Sequence, residues 1–301
     1  MANNGGSEFV IRNIKQDEVE ETFDMIARLG WNLTKEKFKM LCEKKPNNFY
    51  VAVTQDGEVA ATLSCTPTFA DEYILGNVIV KETMQKRGLG RRIVEDILEM
   101  VPRKIVHLVS LPAVNKFYLN LGFKLSDPQQ GHIISHIVTD VQLLDNKVKT
   151  IKGVADDISI APLDESSLED LIQFDHRLRG YDNSLFVSTL AVCSRLLVAR
   201  NKSQNNKIVG YVAAFLKKDE IILDGLNAES DDVAALLFRE ILNQFPGTVK
   251  VKLQMFDSNQ FLLQFGGEAT TERYNRFSLG GNPTIVPEAT AYNVSDCDFT
   301  H

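Results

Sequence analysis

Lys86, Arg87, Arg91 and Arg92 crowd four cations around two glycines, Gly88 and Gly90, a combination suited to holding an anion. Glycine lacks a Cβ, so a phosphate can come close to its backbone. Downstream, apolar residues recur at helical spacing (Ile93, Val94, Ile97, Leu98, Val101). Upstream, Val78-Ile79-Val80 is a β-branched run that reads as a buried strand. A helix starting at the glycines would aim unpaired N–H groups and about half a positive charge at the same spot. Strand, glycine loop and helix start together predict a pyrophosphate cradle. The plainer reading of the same residues is a tight turn followed by a solvated basic helix face.

The loop differs from the two best-known phosphate motifs. It has no Gly-x-x-x-x-Gly-Lys-Ser/Thr run and no third glycine placed for a dinucleotide fold. It does fit Gln/Arg-x-x-Gly-x-Gly, as Gln85-x-x-Gly88-x-Gly90, and further on the chain reads Phe117-Tyr118-Leu119-Asn120-Leu121-Gly122-Phe123. In this order the two stretches resemble the acetyl-CoA loop and the F-Y-x-x-L-G-F signature of the GNAT superfamily of N-acetyltransferases, over roughly residues 9–140. The resemblance implies an enzyme that moves an acetyl group from acetyl-CoA, a cosubstrate, to a primary amine of a small molecule or peptide, without a metal. In that family the strands beside the loop splay apart and the pantetheine arm lies between them. Carried over, the backbone of Val78, Ile79 and Val80 faces that arm. Gln85, Lys86, Arg87, Gly88, Leu89, Gly90 and Arg91 form the pyrophosphate loop, and Asn115 and Tyr118 complete the cofactor wall.

Acetyl transfer needs a neutral amine, a stabilised oxyanion and a proton for the departing thiolate. Tyr118 stands where the family keeps its thiolate acid, and a phenol with a pKa near ~10 matches a leaving thiol. A base for the amine is less well marked. The family often places a glutamate eleven residues before the loop glutamine, and Ile74 stands there. Glu72 shares its strand face by period two and is the candidate, acting through water; His107 on the next strand is the alternative. The plainer readings are a solvent-facing carboxylate and a structural histidine. Leu111 replaces an asparagine common in the family seven residues before the tyrosine, and Val114 a small residue four before it. These departures keep a second class open, a non-catalytic CoA- or ligand-binding two-domain module.

The elements that must hold these groups follow in order. Residues 9–14 read as a strand, 18–29 as an amphipathic helix stopped by Gly30, and 34–43 as a helix with Thr34 as its N-cap. Trp31, between the helices, would border the acceptor pocket in an acetyltransferase-like fold; the plainer reading is an aromatic packed in the core or at the rim. Asp56-Gly57 between two alternating runs marks a hairpin. Then come a strand ending at Val80, the loop, a helix over 90–100, a strand over 104–109 and a short helix closed by Gly122. Residues 123–125 and 132–138 would make a last hairpin. From Ile158 the same order begins again, with strands at 158–163, 195–200, 207–217, 220–226 and 249–256, helices at 168–178 and 233–242, and a closing stretch at 276–281. This repeat lacks the glycine loop and has Glu229, Asp231 and Asp232 in its place, where anions would be repelled. It resembles the C-terminal acetyltransferase-like domain of YitH/HolE-type tandem proteins, through Ala228, Asn259 and the stretch from Arg276 to Gly281. Asp175, Arg177, Arg179 and Asp182 gather near its first helix end, as a polar site or simply a charged C-terminus.

The expectation is therefore an α/β chain with mixed sheets and two tandem acyl-CoA N-acyltransferase (GNAT) folds, the second degenerate. Its domains would be 8–140, a linker 141–156, 157–282, and a tail 283–301 that is extended or disordered. A length of 301 residues, 44% hydrophobic and 24% charged, suits two soluble domains with real cores. No apolar run is long enough to span a membrane, and the first residues lack a signal-peptide core. Residues 1–150 balance 19 basic against 19 acidic side chains, while 151–301 carry 14 against 21. An acidic half argues against nucleic acid and suits an amine-bearing acceptor. Cys42, Cys65, Cys193 and Cys297 are scattered without metal-ligand spacing, which reads as reduced and cytoplasmic.

Overall fold

The structure, a computed structural model, describes residues 8–69, 71–101, 105–125, 133–138, 146, 149–150, 156–247, 250–256, 261–262, 273–282, 284 and 291–293. Most of the expected linker lies outside these residues, as does Asn259. The chain divides into two compact units. One comprises Met1–Val109, Val114–Leu125 and Phe277–Pro283; the other comprises Ser110–Ala113, Ser126–Arg276 and Thr284–His301.

In the first unit β1 (Phe9–Asn13), β2 (Phe49–Thr54), β3 (Val59–Pro67) and β4 (Glu72–Val80) pair antiparallel in chain order. The β2–β3 turn uses Gly57 at φ +92°, a conformation that Asp-Gly supplies cheaply. Between β1 and β2 come α1 (Val19–Ala27) and α2 (Lys35–Lys44). Thr34 caps α2 as its spacing predicts, its Oγ1 accepting the Lys37 N–H at 3.2 Å. After β4, α3 (Leu89–Met100) crosses over to β5 (Ile105–Ser110), which lies parallel to β4. The apolar stripe of α3, Ile93, Val94 and Ile97, is buried with Leu63, Leu75 and Leu108 of the sheet. The short α4 (Asn115–Asn120) follows β5.

The expected closing hairpin does not form. β6 (Lys124–Leu125) pairs not with β7 (Ile133–Val138) but with β13 (Arg273–Leu279), Leu125 opposite Phe277 and Lys124 opposite Ser278. Phe277 and Leu279 supply apolar side chains to the first unit's core. Burying them there outweighs the modest entropic cost of a long chain closure.

In the second unit β8 (Ile158–Pro162), β9 (Arg195–Asn201), β10 (Lys207–Lys217) and β11 (Glu220–Ala228) pair antiparallel in order. β11 is parallel to β12 (Lys250–Phe256), and β12 takes β7 antiparallel on its other edge. Its helices are α5 (Leu168–Arg179), α6 (Ser184–Cys193) and α7 (Asp231–Asn243). Val233, Leu237 and Phe238 of α7 bury against Val209, Val212 and Leu226. Gly210 permits the approach, since a Cβ there would lie 2.8 Å from Leu237 Cδ1 and 3.0 Å from the Asn227 carbonyl oxygen. Two features differ from expectation. α6 is a helix nothing in the pattern marked, and Ala291–Asn293, read as tail, form β14 beside β11.

Candidate active site

β4 and β5 hold together over three rungs, Glu72–Ile105, Tyr73–Val106 and Ile74–His107. β4 then runs on to Val80, bonded to β3 on one edge, and no further rung to β5 joins it among the described residues. Alternate N–H and C=O groups on its other edge therefore face the widening gap. Within this run Thr62 pairs with Ile79 and Ser64 with Gly76, so β4 carries one extra residue. Asn77 lies at this irregularity with φ +50°; it is 2% exposed and its Nδ2 donates to Ser64 Oγ at 3.1 Å. The bulge reverses the alternation, so that Leu75 before it and Val78 and Val80 after it all pack toward α3. Ile79 is buried outside that cluster. Asn77 was not among the candidates, although Gly76-Asn77 inside a β-branched strand is a bulge signal.

The loop turns sharply. Lys86 has φ +62° and Gly88 φ +81°, and Gly88 is the N-cap of α3. A Cβ on Gly88 would meet nothing within 4 Å, so the space ahead of the helix is open. The N–H groups of Leu89, Gly90 and Arg91 belong to the first turn, which has no intrahelical acceptors. Leu89 itself points into the core. Gly90 is glycine for packing, since its Cβ would sit 3.2 Å from Val80 Cγ2. Gln85 ties the loop to the strand, its Nε2 donating to the Val80 carbonyl at 3.0 Å.

The four cations are not equivalent. Arg91 pairs with Glu95 at 2.8 Å and Arg92 with Asp96 at 3.7 Å, both one turn along the helix. Arg87 pairs with Glu8 and stands over the Phe9 ring at 5.8 Å. Exposed pairs of this kind contribute only about 0.3–0.5 kcal/mol and exchange readily for a phosphate. Lys86 is exposed and has no ion pair among the described residues.

Tyr118 is 8% exposed, inside an aromatic cluster with Phe117 at 5.0 Å, Phe123 at 5.8 Å and Phe277 at 6.1 Å between ring centroids. The F-Y-x-x-L-G-F motif explains half of this. Gly122 at φ +89° reverses the chain after α4, so the Phe123 N–H reaches the Tyr118 carbonyl at 3.1 Å. Phe277 comes from far downstream, and no local signal ties it to Tyr118. Asn115, at the start of α4, has its Oδ1 buried with no hydrogen-bond partner among the described residues. An orphaned acceptor of this kind fits a donor arriving with a ligand.

Glu72 is 5% exposed, so the solvent-facing reading of it does not hold. It sits on the first rung of the β4–β5 pair, about 20 Å along the strand from Val78 at the usual rise per residue. His107 is 8% exposed and stands opposite Ile74 on the last rung, where the strands begin to part. In the second unit's polar group Arg177 and Asp182 are exposed at the helix end, as a charged C-terminus would have them, but the other two are not. Asp175 and Arg179 are buried, with Arg179 Nε on Asp175 Oδ1 at 3.0 Å, Tyr211 donating to Asp175 at 2.6 Å and Asn183 at 3.1 Å. Burial opposes the Arg179 charge, but Asp175 outweighs it and holds the guanidinium pKa above its ordinary value. Burial and then Asp175 push the Tyr211 phenol well up. Among the described residues no cluster of His, Cys, Asp and Glu is placed for a metal, and no helix is long and apolar enough to cross a membrane.

The family model for an acetyltransferase (GNAT) domain matches residues 45–125, which span β2 to β6 and so include the loop and Tyr118. A sequence search among curated proteins found no match. Among solved structures, a provisionally assigned acetyltransferase from Pyrococcus horikoshii superposes with a TM-score of 0.73 at 16% identity, covering 99% of this chain and 98% of that one. A GCN5-related N-acetyltransferase from Sphaerobacter thermophilus gives 0.57 at 12% identity, covering 94% and 99%. A tandem GNAT protein of the clavulanic acid biosynthesis pathway gives 0.60 at 14% identity, covering 92% and 100%. At these identities the likeness is one of fold. Residues 45–125 thus match the GNAT acetyltransferase domain, and the mixed α/β fold around them is one that GNAT acetyltransferases adopt, a scaffold that supports acyl transfer in general.

Proposed function

We propose that this chain is an acetyl-CoA-dependent N-acetyltransferase, working on a primary amine of a small molecule or peptide from a site in the first unit. The observation that carries the reading is the continuous track from the open edge of β4, past Val80, to the left-handed Gly88 at the head of α3. An extended arm with amide groups suits the strand edge, and a pyrophosphate suits the helix start. Acetyl-CoA has both, and would supply the activated thioester when bound.

Each candidate residue has a task in this scheme. The N–H groups of Leu89, Gly90 and Arg91 hold the pyrophosphate, with Lys86 and, once released from its carboxylate, Arg87 nearby. The backbone of Val78 to Val80 aligns the arm, and Asn115 Oδ1 takes a donor from it. Tyr118 gives its proton to the departing thiolate. Of the two candidates for the amine proton, His107 stands on the last rung, where the strands begin to part, whereas Glu72 is buried on the first rung, away from the gap. In this reading residues 8–140 and 157–282 are tandem domains in sequence, the second a degenerate GNAT-like domain of YitH/HolE type. Cys42, Cys65 and Cys193 are free thiols, which supports a reducing, cytoplasmic setting.

The test is calorimetric titration with acetyl-CoA of the natural chain, Gly88→Ala and Gly88→Glu. Both substitutions carry the left-handed strain, about 1–2 kcal/mol of stability, so Gly88→Ala isolates that cost. A carboxylate about 5 Å from a doubly charged pyrophosphate adds some 2 kcal/mol of repulsion even in water. Gly88→Glu should therefore bind at least about tenfold more weakly than Gly88→Ala. Equal binding by the two variants would remove the cradle from the reading. Binding without thiol release, across a panel of amines, would make the protein a binding module instead.

A further inference from the structure

The two units repeat one strand geometry and differ in what lies beside it. In the second, β11 pairs with β12 over three rungs, from Glu220–Lys250 to Ile222–Lys252, and then runs on to Ala228, as β4 does beyond Ile74. β11 also carries one extra residue, Asp224, between the Ala213–Gly225 and Ala214–Leu223 pairs. Asp224 is buried and accepts from Ser194 Oγ at 3.1 Å, the counterpart of Asn77 on Ser64. Here, however, the edge of β11 is taken. Leu226 pairs antiparallel with Asn293 and Asn227 with Ala291, and β14 also lies against β12. β14 is thus wedged where β11 and β12 part.

We infer that the second unit contains a strand-accepting site for an extended polypeptide segment, and that this chain fills it in cis with residues 291–293. Parting strands leave a row of backbone donors and acceptors unmet, and an inserted strand meets them whatever its side chains. The surroundings select against a phosphate-bearing occupant. Glu229 precedes α7, Asp231 and Asp232 form its first turn, and Ser230 Oγ already accepts the Val233 N–H at 3.4 Å. Glu229 is held by Arg177 and Lys207, but the Asp231 and Asp232 carboxylates in the first turn disfavour an anion at that helix head. A polypeptide carries the amides without the phosphates. One consequence, which rests on the proposed function, is that the intact chain takes one acetyl-CoA, in the first unit.

Hydrogen exchange tests this on the intact chain, on a chain ending at Thr284, and on a full-length double variant, Ala291→Pro with Asn293→Pro, which removes two strand N–H groups. Of the amides of residues 225–228, those that face β14 should exchange at least about tenfold faster in both variants, while those that face β10 serve as the unchanged reference. A synthetic peptide of residues 285–301, added to the shortened chain, should restore protection at one peptide per chain, and the same peptide with both prolines should not. Unchanged exchange at the amides that face β14 in the proline variant overturns the inference. So does a peptide that restores nothing in a shortened chain whose β9 and β10 amides stay protected. If the shortened chain does not fold, the proline variant decides alone. Acetyl-CoA binding is read separately by calorimetry; its absence would strike the proposed activity and leave the strand site standing.

Discussion

Phe277 offers the sharpest test of how the first unit is built. It is 1% exposed, belongs to the first unit's core, and its ring lies 6.1 Å from that of Tyr118. Phe277→Ala should cost about 3–5 kcal/mol, the usual range for emptying a buried aromatic site. Against a total stability of about 5–15 kcal/mol, that is a large fraction. Trp31 is the single tryptophan and lies in the first unit, so its fluorescence in a urea titration reports on that unit. A shift in midpoint does not by itself prove contact, since a cooperative chain transmits any loss. A double-mutant cycle with Tyr118→Leu does. Two rings in contact contribute about 0.5–1.5 kcal/mol beyond their buried area, whereas separated sites add to within about 0.5 kcal/mol. The expected coupling is therefore near 1 kcal/mol. Additive single and double variants, or a Trp31 transition unmoved by Phe277→Ala, would refute the assignment of β13 to Tyr118.

Asp175→Ala should destabilise the protein by about 3–5 kcal/mol in urea unfolding, because it strands the buried Arg179 guanidinium, and adding Arg179→Met should recover part of the loss. Burial pushes the Cys42 and Cys65 thiols up to about 12, so neither should react with iodoacetamide at pH 8 until the chain is unfolded, as read by peptide mass spectrometry. The same shifts carry a sign. A thiol pKa raised by folding contributes stability that is whole below about pH 9 and is lost as pH rises toward 12, so Cys65→Ala should flatten the alkaline limb of the stability curve.

Much of this architecture was legible because it is local. Alternation and the Asp-Gly turn gave β2 and β3, the 3.6-residue stripe gave α3, and Thr34 announced α2. Pairing between distant segments was not legible. β6 and β7 look like a hairpin from their spacing, yet β6 takes a partner some 150 residues away. Nothing in Arg273–Leu279 states which of two cores its apolar residues will enter. α6 was missed because Ser184–Cys193 is apolar on nearly every side, so it shows no stripe. Asp175 and Arg179, four apart near a helix end, have the spacing of an ordinary surface pair; only the fold buries them. For the site, the loop and Tyr118 stood out by motif. Asn77 and Phe277 did not, one acting through a bulge and the other through tertiary packing.

The parted strand pair occurs in both units, with the same three rungs and a buried polar residue at each bulge. It cannot by itself decide what lies in the gap. The head of the next helix can. At α3, glycine in a left-handed conformation leaves the N–H groups facing open space, with an unpaired lysine beside them among the described residues. At α7, a serine hydroxyl and two aspartates satisfy the helix start and its dipole from within the chain. A helix start satisfied internally has no need of an anion, and its acids disfavour one. The strand edge beside it is then free to take a neutral backbone, and the nearest supply is the chain's own β14.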